Sequence, residues 1–163
     1  MTINELIYDV LARNVEMTKA TIADFSEADM VVRPCPGANH AAWQLGHLTN
    51  AEVNLVNMVT PGASPALPES FSGKFKKENA KIDDPKFFPP KEELLSRLSS
   101  ARAATIAWAK TLSEADMSKP APEPIRGFVP TVGHLVLMMP THVMMHVGQM
   151  QAIRRKLGKP ILF

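Results

Sequence analysis

His142 and His146 stand four residues apart in "PTHVMMHVGQMQAIRRKLG". On an α-helix, residues four apart differ by about 40° in direction and about 6 Å in rise. Two imidazoles so placed can approach one ion from a single face, and Gln149 shares that face. The spacing also fits two satisfied histidines on a core-facing helix, which is the commoner use of it. Val143 follows His142, where an H-E-x-x-H peptidase carries its glutamate base, so that mechanism has no support.

A metal site needs a third ligand. The other histidines are His40, His47 and His134. His47 lies in "AAWQLGHLTNAE", among bulky apolar residues, and in a bundle its helix can face the one carrying His142 and His146. Three neutral imidazoles suit Zn, Ni, Fe or Cu. Three protein ligands also leave a position open for substrate, the layout of a catalytic zinc site. His40 reads as a helix-start residue. His134 is eight residues before His142 and is expected to line the pocket or to hydrogen-bond a ligand, with a fourth-ligand role as the lesser alternative. Asn50 could hold an imidazole or a substrate, while Glu52 points about 140° away from His47. Cys35, in "RPCPG", reads as a loop residue, with an extra ligand or reactive thiol as the alternative.

Four helices must position these groups. Apolar spacing predicts helices over about Ile3–Phe25, Ala41–Val59, a segment opening after "FFPP" and running to Leu112, and Thr131–Leu157. Pro90 suits a first helical position, Glu92 and Glu93 the positive end of a helix, and Gly158 with Pro160 a stop. Pro140 should bend the last helix just before the histidine pair. Met138, Met139, Met144, Met145 and Met150 on that helix read as core or dimer contacts. No segment alternates as a strand does. The expected fold is all-α, a four-helix bundle with a long crossover connection between helices two and three. The crossover, about residues 61–90, is proline-rich and could also be a lid or a partner surface. Its "KFKKENAK" reads as a solvated charge run.

The chain also repeats itself. "SEADM" occurs at Ser26–Met30 and Ser113–Met117, and "GHL" at Gly46–Leu48 and Gly133–Leu135, both with an offset of 87 residues. The shared offset suggests two helix–connector–helix halves, about residues 1–60 and 91–158, within one domain spanning 1–163. Each "S-x-x-D" can cap a helical turn.

Composition bounds the rest. The chain has 163 residues, 45% apolar and 21% charged, with 18 basic and 16 acidic residues. That balance gives no support for nucleic-acid binding. The single cysteine excludes an internal disulfide. No stretch is apolar enough to span a membrane, and the N-terminus lacks the pattern of a signal peptide. The expectation is a cytoplasmic protein without nucleic-acid or membrane partners, acting on a small molecule.

The "SEADM" connectors, "RPCPGANHAAWQLGHLTNAE" and "HVMMHVGQMQAIRRKLGKP" together resemble the DinB-like (DinB/YfiT-type) superfamily of metal-binding four-helix bundles. The resemblance covers nearly the whole chain, least so over 61–90. It implies that His47, His142 and His146 bind a divalent metal, expected to be zinc or nickel, and together with the apolar helix faces it points to a homodimer. Met145 and Val147 stand where many members have a more polar residue and an arginine. Some members are S-transferases using low-molecular-weight thiols such as bacillithiol or mycothiol. The leading expectation is therefore a metal-dependent thiol S-transferase acting on a small electrophile. The alternatives are a hydrolase or isomerase using metal-bound water, and a non-catalytic dimeric metal-binding or interaction protein.

Overall fold

The computed structural model describes residues 1–162; Phe163 lies outside the described residues. Among the described residues there are six α-helices: α1 (Ile3–Ile22), α2 (Ala41–Val59), α3 (Glu69–Ser72), α4 (Lys91–Ala109), α5 (Glu114–Ser118) and α6 (Val132–Lys156). Short 3-10 turns punctuate the connections, and no strand forms among the described residues. The four long helices match the sequence expectation to within three residues at each end. Pro90 is the residue before the first helical position rather than that position itself.

The long helices form a four-helix bundle. α1 packs on α4 and α6, and α2 packs on the same two helices. Consecutive helices α1 and α2 therefore lie on a diagonal, and the chain must cross the bundle to pass between them. Leu11, Leu45, Leu94, Leu135 and Met150 are fully buried and fill the interior from all four long helices. Among the described residues, no helix is long and apolar enough to cross a membrane.

Two side-chain devices fix the helices against one another, and a glycine stop ends the last one. Glu52 of α2 and Arg102 of α4 form a buried two-point ion pair, with Nε–Oε1 at 2.8 Å and Nη2–Oε2 at 3.0 Å. Arg154 of α6 is buried and donates to Thr21 O and to the Asp24 carboxylate, clasping the end of α1. Gly158, at a φ of 68°, ends α6, and Lys159 N–H returns to Arg154 O. Only glycine takes such a left-handed residue without cost.

The crossover between α2 and α4 is a packed cap. Phe71, Phe75 and Phe88 are buried with Trp43 and Leu45 in one cluster. Trp43 Nε1–H donates to Lys76 O, Asn50 Nδ2–H to Ser72 O, and Arg33 to Ala80 O. In "KFKKENAK" Lys76, Lys77, Glu78 and Lys81 are exposed, Lys74 donates to Phe87 O, and Phe75 turns in.

Both "SEADM" copies build the same reciprocal cap. Ser26 N–H donates to Asp29 and Asp29 N–H to Ser26; Ser113 and Asp116 repeat the pattern. α1 and α4 also end 87 residues apart, at Ile22 and Ala109. The correspondence then slips. The counterpart of Ala41 is residue 128, yet α6 begins only at Val132.

Candidate metal centre

α2 begins on an imidazole. His40 Nδ1 accepts from Trp43 N–H at 3.2 Å, and its Nε2–H donates to Ile82 O at 2.9 Å. His40 is thus the N-cap of α2, as its position suggested, and it ties that end of the helix to the crossover. Two turns on, Gly46 lets the crossover close against the helix. A Cβ at Gly46 would lie 2.2 Å from the Phe75 ring.

His47 follows on the face turned toward α6. Trp43 lies one turn earlier and stacks on it, with ring planes 8° apart and centroids at 4.9 Å. From α6, His142 and His146 meet it: the His47 centroid is 5.3 Å from that of His142 and 5.4 Å from that of His146. One nitrogen from each of the three rings lies within 4.8 Å of the other two. Residues separated by nearly a hundred positions in sequence therefore converge where α2 packs on α6.

A buried glutamine sets the proton positions. Gln44 is fully buried, and its Nε2–H donates to Asn39 O at 2.6 Å. That bond turns Oε1 toward His146 Nδ1, 3.0 Å away. An amide oxygen only accepts, so Nδ1 of His146 carries the proton and Nε2 presents its lone pair. His146 Nε2 lies 3.2 Å from His142 Nε2. In the metal-free protein, His142 Nε2–H is the donor of that contact.

All three rings are held neutral. Burial lowers the pKa of His47, helped by the charge His142 would carry. Burial alone lowers His142. His146 is pushed down to about 3, chiefly by burial and then by the other two rings, while Gln149 partly offsets the fall.

The donor set fits a transition metal. The cluster is nitrogen-only, which suits Zn, Ni, Cu or Fe and not Mg or Ca. Imidazoles sharing one ion at about 2.0–2.1 Å have nitrogens roughly 3–3.4 Å apart, and the His142–His146 separation already has that value. Gln44 supplies the outer hydrogen bond that a ligating histidine ordinarily makes.

Other sequence candidates lie elsewhere. His134 is exposed in the first turn of α6, with Nδ1 on the Thr131 hydroxyl at 2.8 Å. It is eight residues, about 12 Å along the axis, from His142, and the late start of α6 at Val132 leaves it in the exposed first turn. Asn50 holds the crossover through Ser72 rather than an imidazole. Gln149 is the exception: exposed three residues beyond His146, its side chain still reaches that ring. Cys35 is exposed in its turn and belongs to no ligand cluster. Glu52 is locked by Arg102 and unavailable as an acid or base.

Gln44 and Trp43 were not among the sequence candidates. Gln44 was detectable as the one polar residue of the apolar run before His47, three residues away on the same helical face.

Comparison with known proteins agrees with this architecture. The family model described as DinB superfamily matches residues 11–150. A solved structure of a conserved protein from Enterococcus faecalis is 19% identical, with a TM-score of 0.73 over 98% of this chain and 99% of that one. YfiT from Bacillus subtilis is 14% identical, with a TM-score of 0.70 over 98% of this chain and 91% of its own. That protein is described as a probable metal-dependent hydrolase with an unusual four-helix bundle topology. Among curated proteins, none matches the chain.

Proposed function

The chain belongs to the DinB superfamily, and from that premise we propose that it is a metal-dependent enzyme whose ion is held by His47, His142 and His146. The single observation that carries the reading is the convergence of three neutral imidazoles, one of them fixed in its ligating tautomer by Gln44. Zinc and nickel are among the ions this donor set accepts, and zinc is the one to load first. Bound there, it would supply Lewis acidity and hold a thiol in its reactive thiolate form at neutral pH.

The protein's own groups do the positioning. Gln44 keeps the His146 proton on Nδ1 and its lone pair on Nε2. Trp43 holds the plane of His47 by stacking. His47 and His142 are half-buried and His146 is buried, so a small molecule can reach the cluster from the side of the first two.

The absence of a carboxylate from the cluster favours thiol chemistry. S-transfer to a small electrophile needs a thiolate and no general base, whereas hydrolysis gains from a positioned acid–base group. The description of YfiT supports the second reading, a hydrolase. Metal-loaded protein mixed with a low-molecular-weight thiol and a panel of alkyl electrophiles separates the two. Thiol-dependent turnover that His142→Ala abolishes supports the transferase. Metal-dependent ester or amide cleavage without thiol dependence supports the hydrolase.

A further inference from the structure

A second recess lies between α2, α4 and the start of the crossover, and none of the three histidines lines it. It is a cleft of about 380 Å³, a volume typical of small-molecule sites. Val53, Leu67 and Ala101 give it an apolar lining.

One buried polar group in its wall lacks a partner, and a part-exposed guanidinium keeps donors that no protein group takes. Ser64 is only 1% exposed, and its hydroxyl has no hydrogen-bond partner. Its backbone, by contrast, is held at two points: Ser64 N–H donates to Asn57 Oδ1 at 2.9 Å, and Asn57 Nδ2–H to Ser64 O at 2.8 Å. The crossover is therefore pinned to α2 with a buried hydroxyl left over, a costly arrangement unless a ligand or water completes it. On the opposite wall, Arg97 gives its Nε–H to Glu93 at 2.8 Å and lies 4.6 Å over the Phe71 ring. These contacts use Nε and the plane of the guanidinium, leaving the Nη edge for an incoming acceptor. A guanidinium edge is matched best by a carboxylate.

We propose that this cleft binds a small amphiphilic carboxylate, its apolar body on Val53, Leu67 and Ala101 and its carboxylate taking hydrogen bonds from Arg97 and Ser64. The site is independent of the histidine cluster.

An NMR titration of the full chain with octanoate, and with octanol as the uncharged control, tests this. Saturable octanoate binding that shifts the amides of Ser64 and Arg97 is expected, with octanol at least tenfold weaker. Arg97→Gln and Ser64→Ala should each weaken octanoate at least fivefold. Ser100→Trp, at an exposed lining position of α4, should block both ligands without disturbing the core. His142→Ala should leave octanoate binding unchanged, so a failure of the metal reading is distinguishable from a failure of this one. The proposal is overturned if octanoate does not saturate these residues, if octanol binds equally well, or if binding survives Ser100→Trp.

Discussion

His146 of α6 donates its Nδ1 proton to Gln44 of α2 across 3.0 Å, inside the interface that brings the three histidines together. One helix thus fixes the protonation state of a ring on another. The same two helices supply the cluster, so the tautomer and the convergence depend on one packing contact.

Gln44→Leu removes the acceptor but keeps a similar volume. Metal affinity is expected to fall about 10–100-fold, the usual cost of losing an outer-shell partner. Competition titration with a chromophoric chelator reads the affinity, and ¹⁵N shifts of the His146 ring read the tautomer. Unchanged affinity and an unchanged Nδ1–H signal would remove the role given to Gln44.

Lower pH should destabilise the metal-free protein. In the unfolded chain these rings take up protons near pH 6.5. In the folded state burial lowers His40, His47, His142 and His146, the last to about 3. Below about pH 6.5 the unfolded state binds more protons, so stability falls with pH through that window and is flat above it. Each ring contributes up to about 1.4 kcal/mol per pH unit. Asp24 and Asp29, with lowered pKa values, act only at more acidic pH. Urea midpoints at pH 7.5 and pH 5.0 check this, and equal midpoints would contradict it.

Single and double replacement of the buried ion pair should differ in a defined way. Glu52→Leu leaves Arg102 charged and unpaired, at a cost of about 3–5 kcal/mol. Adding Arg102→Met should recover most of that loss, since two apolar residues replace two desolvated charges. Urea denaturation of the wild type and both variants measures it; a double variant no better than the single one would refute the assignment.

Gly46→Ala should loosen the crossover cap, because the new methyl overlaps the Phe75 ring. A loss of about 1–3 kcal/mol is expected from the overpacking. Phe75→Leu, costly alone, should become less so in the Gly46→Ala background. Strictly additive losses would contradict the contact.

Much of the fold was legible because helix periodicity and capping are local. The spans of α2 and α6, the "SEADM" caps and the Gly158 stop follow from residues within a turn of each other. The histidine cluster was legible only in part: His142 and His146 share a turn, whereas the approach of His47 depends on which helices are neighbours. His134 was misplaced because the offset of 87 residues held through the ends of α1 and α4 but not through the start of α6. The Gln44–His146 bond depends on side-chain packing between helices, which periodicity does not report. Burial of the aromatic residues turned the crossover into a cap, a role its proline-rich composition concealed.

The most direct measurement is metal content together with X-ray absorption on zinc-loaded protein, for the wild type and for His47→Ala and His142→Ala. The predicted result is one ion per chain, coordinated by three imidazoles, with stoichiometric binding lost in both variants. A wild-type chain that holds no stoichiometric metal, or a His47→Ala variant that retains the ion with its coordination unchanged, would contradict the account.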